Sequence, residues 1–274
     1  MKYKYVIWSF LVLFPAALAI RTYQLFALTD PVTAFFYAGA EKPGTACSLL
    51  IAAAILGFVA ISSLVKRKPR RTPRVNLGLG ASSAFAAIFI LMDTMDVINE
   101  GKLGAWQWNL LCIFGGATGV FLLFYAAKGV YNYKINRLFY VLPAIYYAQK
   151  IVCQFMIVAR FSAISETIYI DLSLVLVALF FLEWSKMAND IVPENSYKNI
   201  LALGGSAVIL CGVTCLPEFA LLIIKKDIPL HYSPLSLISL AFTGLFIAVF
   251  VYRCFTASLT PRSVRKRQKI KTLK

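Results

Sequence analysis

Eight stretches of this chain are apolar for about as long as a helix needs to cross a bilayer, and that feature leaves few folds open. A spanning helix takes roughly 20 mostly apolar residues at a rise of about 1.5 Å each. The stretches fall near 5–22, 46–65, 77–98, 107–127, 138–159, 168–187, 200–224 and 235–252. Of the 274 residues, 60% are hydrophobic and 15% charged. A soluble domain of this length buries a core with far fewer apolar residues. The expectation is an all-α polytopic transmembrane bundle of about eight spanning helices over 1–252. Residues 253–274 form a basic tail, and no room remains for a separate soluble domain.

The formal net charge of +16 raises the question of nucleic acid. The positions of the charges argue against it. They sit at the ends of apolar runs, with no basic surface interleaved by stacking aromatics. With the N-terminus in the cytoplasm, 21 of the 28 Lys and Arg residues fall on the inner side. They include the run Lys66, Arg67, Lys68, Arg70, Arg71 and Arg74, and the tail from Arg253 to Lys274. Only Arg21, Lys42, Lys102, Arg160, Lys225 and Lys226 fall outside. This bias predicts that both termini are cytoplasmic. The tail and the 66–74 loop are expected to adhere to anionic lipid, at about 1 kcal/mol per surface cation.

Trp8 and Trp184 fall near inner helix ends and Trp106 and Trp108 near an outer one, where indoles favour the headgroup zone. The longest external loop, Tyr23 to Thr45, carries two turn signals, Asp30-Pro31 and Glu41-Lys42-Pro43-Gly44. The aromatic trio Phe35-Phe36-Tyr37 between them is placed to cap the bundle or dip into the interface. Lys2, Lys4, the apolar Val6 to Phe14 and Ala17-Leu18-Ala19 also match the outline of a signal peptide. An uncleaved first helix is the preferred expectation. Six cysteines lie in or beside apolar runs and read as packed thiols, with no disulfide framework and no metal or other cofactor implied.

One residue contradicts its surroundings. Lys150 lies near the middle of the apolar stretch Phe139 to Ala159. An ammonium at membrane depth is costly, so it faces protein or water and has a partner. Ordering the helices by direction brings candidate partners to the outer half. Asp93 and Asp96 share a face of the third helix at i,i+3. Glu218 follows Pro217 on the seventh helix, and Asp171 falls in the first turn of the sixth. Gln149 and Gln154 flank Lys150 on the fifth, and Gln107 and Asn109 open the fourth. A mixed-sign set of this kind predicts a water-accessible funnel closed at its base by a lysine ion pair. The residues expected to bind a solute are Lys150, Glu218, Asp93, Asp96, Gln154 and Asp171.

Each has a plainer alternative. Lys150 suits a structural ion pair, and Asp171 suits hydration at a helix N-terminus. Glu183 and Lys186 read as an interfacial pair rather than a gate. Pro15 and Pro143 are possible kinks. Gly115-Gly116, Gly119, Gly204-Gly205 and Ser206 offer small faces for close helix contact.

Histidine catalysis has little basis, since His231 is the only histidine. Nucleophile elbows, paired zinc histidines and phosphate-binding glycine loops are absent from the sequence. The stretch Arg21-Thr22-Tyr23-Gln24-Leu25, followed by Asp30-Pro31 and Thr33-Ala34-Phe35-Phe36, resembles the start of uncharacterised multi-pass membrane proteins from clostridia-like Gram-positive bacteria. The resemblance spans roughly the first 40 residues and implies a bacterial cytoplasmic membrane. It also draws attention to Arg21, Tyr23 and Asp30 as a cap beside the funnel. The leading expectation is a transporter-like protein that binds a small cation or cationic solute in an outward-facing polar pocket. The alternative is a non-enzymatic sensor or assembly subunit, docking through the external loop and the basic tail.

Overall fold

The apolar runs are helices in the computed structural model, which describes residues 3–30, 36–64, 75–99, 106–131, 133–158, 165–189, 191, 196–224 and 233–259. They are α1 (Tyr3–Tyr23), α2 (Glu41–Ser63), α3 (Leu77–Asn99), α4 (Trp106–Tyr131), α5 (Leu142–Val158), α6 (Ser165–Ala188), α7 (Ser196–Ile224) and α8 (Pro234–Leu259). All but α5 are long and apolar enough by themselves to cross a membrane. The α5 helix has 17 residues, but it continues directly from a 3-10 segment, Arg137–Val141. Together the two extend about 35 Å, enough to match a hydrocarbon core of about 30 Å. The protein is an all-α, multi-pass integral membrane protein.

Helices α3 to α8 each pack on their chain neighbours, and α8 returns to pack on α3. Six helices thus close into a ring. Helices α1 and α2 pack on each other and on α7, outside the ring. The α1 helix is continuous through Ala17-Leu18-Ala19, and Ala17 is fully buried.

Small residues make these seams close. A Cβ on Gly205 would lie 2.1 Å from the Phe58 ring of α2, and one on Gly204 would meet Val251 and Phe180. Gly116 differs, with no atom within 4 Å of its would-be Cβ. Gly205→Ala should therefore destabilise the protein by about 1–3 kcal/mol, because Phe58 is buried and cannot swing away. Gly116→Ala should be neutral to within about 1 kcal/mol. Unfolding titrations in mixed micelles check both; equal losses would contradict the seam geometry.

Four sequence expectations change. The turn signal at Glu41-Lys42-Pro43-Gly44 is instead the first turn of α2. The first intrahelical acceptor is Ala40, bonded by the Gly44 N–H at 2.9 Å. The missing N–H of Pro43 thus falls where a helix has no use for one, and Glu41 suits the positive helix end. The turn itself lies just upstream, where Gly39 adopts φ +86° and the Ala40 N–H reaches the Tyr37 carbonyl. Pro143 does not kink a helix, because it stands in the first turn of α5, where proline is tolerated. Helix α6 begins earlier than expected, which places Asp171 in its second turn and weakens the dipole argument.

Trp184 lies near the inner end of α6 but is 1% exposed and faces the ring interior, not the headgroups. It is surrounded by Phe121, Tyr125, Tyr140, Phe181, Phe246 and Phe250, with ring centroids 5.0–6.0 Å away. Such edge-to-face packing adds stability beyond area alone. The inner half of the ring is filled with aromatic side chains. Trp8 and Trp106, by contrast, are largely exposed.

Candidate functional site

The polar groups of the ring gather toward the C-termini of α3, α5 and α7, which the charge distribution assigns to the outer side. Lys150 Nζ donates to Asp93 Oδ2 at 2.6 Å, and both side chains are under 10% exposed. Tyr146, one turn before Lys150 on α5, donates its hydroxyl to the same oxygen at 3.0 Å. The Lys150 ammonium also lies 5.9 Å from the centroid of the Tyr146 ring. Burying two charges is costly, and only close geometry with additional hydrogen bonds offsets that cost. Here both are present.

The pair joins α5 to α3, which stand on either side of α4 in the ring. Gly115 of α4 permits this approach. A Cβ there would lie 2.4 Å from Thr94 Oγ1 and 3.1 Å from Tyr146 Cε2. The sequence marks Gly115 only as a helix-contact residue; its part in shaping the ion pair emerges from the packing.

Hydroxyls continue the layer around the ring. Tyr147 OH and Thr243 Oγ1 are 2.6 Å apart across α5 and α8. Ser173 Oγ and Thr214 Oγ1 are 3.2 Å apart between α6 and α7. Glu218 is buried at 6% exposure, nearly two turns before the outer end of α7. Pro217 lacks the N–H that would bond the Val213 carbonyl, so the backbone beside Glu218 is locally open. All six cysteines are free thiols.

The remaining expected site residues are placed as follows. Asp96 is turned toward α8, where Ser233 Oγ donates to its Oδ2 at 2.5 Å. An i,i+3 spacing leaves about 60° between two side chains, enough for Asp93 and Asp96 to meet different partners. Gln154 is half-buried one turn outward from Lys150, and its Oε1 has no hydrogen-bond partner. Asp171 Oδ1 is likewise buried without one. Only Lys150 and Asp93 are in direct contact with each other. Gln149 donates to the Gln107 carbonyl at 2.9 Å and fastens α5 to α4. Lys186 donates to Glu183 at 2.9 Å as the i,i+3 pair expected at the inner end. His231, Phe35, the 66–74 loop and the tail beyond Leu259 lie outside the described residues.

A second polar cluster sits where α1 ends. The helix passes into a π-helical turn, Gln24–Leu28, a widening that is common at functional sites. Arg21 is fully buried, donates to Gln24 Oε1 at 2.9 Å and lies 4.4 Å over the Tyr169 ring. Gln24 Nε2 reaches the Gly44 carbonyl and Ser48 Oγ, and Tyr169 OH donates to Ser48 at 2.9 Å. Phe36 packs over Gly44. Arg21 thus clamps the external loop and α2 to the ring helix α6. Tyr23 remains 57% exposed. Sequence reading pointed to Arg21 but missed Gln24, Ser48 and Tyr169, whose polarity is ordinary for helix ends and loops.

No protein-family model, curated protein or solved structure matches this chain.

Proposed function

We propose that this protein binds a small cation or cationic solute from the outer face of a bacterial cytoplasmic membrane and moves it inward. The observation that carries this reading is the Lys150–Asp93 pair, enclosed in the ring with Tyr146 on the same carboxylate oxygen. Glu218 adds a second buried carboxylate, on α7. An arriving cation competes with Lys150 for Asp93, and Glu218 offers the displaced ammonium an alternative counter-ion. Intramembrane ionisable groups are common transport elements, and Pro217 leaves α7 one backbone hydrogen bond short beside Glu218. The aromatic packing around Trp184 closes the inner half while the outer site fills.

Reconstituted liposomes test the reading. With imposed gradients of sodium, potassium or methylammonium and a dye reporting internal pH, the wild type should give a flux above protein-free vesicles. Lys150→Met and Glu218→Gln should each reduce that flux at least tenfold while leaving membrane expression within about twofold. Wild-type behaviour of both variants in every gradient would remove the basis for transport through this site.

A second reading, an assembly or sensor subunit, draws on the position of α1 and α2 outside the ring. Crosslinking in native membranes distinguishes it, because a stoichiometric protein partner on α1–α2 supports that reading instead.

A further inference from the structure

Lys150 is itself a primary ammonium on an alkyl chain, and its surroundings are those that a ligand of this class requires. We infer that the cationic solute is a primary ammonium carried on an alkyl or arylalkyl body, and that Lys150 occupies the solute's position when it is absent. This rests on the cation-binding reading above and narrows it to one chemical class.

The donor set favours an ammonium over a metal ion. Asp93 Oδ2 accepts from Lys150 Nζ at 2.6 Å and from Tyr146 OH at 3.0 Å, so one carboxylate provides the charge. A hard metal cation takes about six or more oxygen ligands. Among the described residues no group of three or more His, Cys, Asp or Glu side chains is arranged to hold one. A primary ammonium needs less, namely a carboxylate, a hydroxyl and an aromatic face.

That face is present. The Lys150 ammonium lies 5.9 Å from the Tyr146 ring centroid, within the range where a ring attracts a cation. Gly115 lets this ring pack close to α4 beside the pair, since a Cβ there would lie 2.4 Å from Thr94 Oγ1 and 3.1 Å from Tyr146 Cε2. Further in, the rings of Tyr147, Phe181 and Trp184 follow Tyr146 at successive centroid distances of 4.9, 5.7 and 5.6 Å. A metal ion passing them would lose its water without replacement oxygens. An organic ammonium meets apolar surface for its body and ring faces for its charge. The exchange is noncovalent: the solute's N–H groups take over Asp93 Oδ2 as those of Lys150 leave it.

Thermal unfolding of the purified full-length protein tests this, with chloride salts compared at equal ionic strength. Saturating n-butylammonium and 2-phenylethylammonium should raise the wild-type midpoint by roughly 5 °C at a hundredfold excess over Kd. Tetramethylammonium, which has no N–H to donate, and sodium and potassium should not. Asp93→Asn should abolish the shift. Because that variant leaves Lys150 without its carboxylate and is destabilised, Lys150→Ala provides a second measurement. The atoms removed from Lys150 beyond Cβ correspond to n-propylammonium, which should restore the lost midpoint while propanol does not. Sodium or potassium shifts that depend on Asp93, with silent amines, would keep the cation reading and overturn the ammonium class. No Asp93-dependent shift with any cation, together with no rescue of Lys150→Ala, would overturn both.

Discussion

Asp93→Leu, made with Lys150 left in place, is expected to lower stability by about 3–5 kcal/mol, among the largest losses of any single change in the outer half of the bundle. The reason is the charge left behind. Lys150 would remain enclosed between α3, α4 and α5 with the carboxylate it pairs with gone and with Tyr146 also deprived of an acceptor. Adding Lys150→Met to Asp93→Leu removes the stranded ammonium and restores an apolar pair of similar volume. The double variant should recover most of the loss, since well-packed hydrophobic replacements of buried ion pairs are often neutral or better. Unfolding titrations of the wild type, both single variants and the double variant form a closed cycle. A double variant as unstable as Asp93→Leu would show that packing, not charge, sets the effect. Stability and function should then separate. The recovered double variant would fold but have no carboxylate for an arriving cation, so flux and cation-induced stabilisation should both be lost.

Trp184→Ala is expected to cost a further comparable amount, about 3–5 kcal/mol, from the inner half of the same ring. Trp184 is among the largest fully buried side chains and touches six aromatic rings contributed by α4, α6, α8 and the Tyr140 segment. Its removal leaves a void between rigid rings that cannot collapse to fill it. The expected functional signature is a leak. Liposomes containing Trp184→Ala should pass protons without an applied solute, whereas the wild type holds a pH gradient for the duration of the assay. Trp184→Phe, which keeps an aromatic body, should lie between the two in stability and remain tight. A tight Trp184→Ala protein of near wild-type stability would show that the aromatic cluster neither supports nor seals the ring.

Much of the architecture was readable before any coordinates. The apolar runs located all eight helices, with most ends displaced by a few residues. The displacement at the start of α2 arose because Pro43 signals a turn in isolation but is tolerated in the first turn of a helix. That Lys150 pairs with a carboxylate was also anticipated, because a buried ammonium demands one, but which of the four candidates it meets was left open until the packing selected Asp93. Asp96 shows where that reasoning stops. Spacing placed it on the face of Asp93, yet a 60° difference in direction gave it Ser233 instead. Trp184 shows the same limit. Its depth near a helix end was legible, but its facing inward was not.

By itself the sequence determined that the chain is a bundle of membrane helices, because hydrocarbon thickness sets span length and composition records it directly. It also determined that one lysine at mid-depth must be paired. The tertiary structure decided that α8 returns to α3 and closes a ring, and that Gly115 admits Tyr146 and Thr94 beside the ion pair. It also decided that aromatics from three helices and the Tyr140 segment converge on Trp184. The physical reason is that burial depth is a one-dimensional property carried by each segment alone. Which side chains meet depends on how helices rotate and tilt against one another, and that is settled only when all the seams pack together.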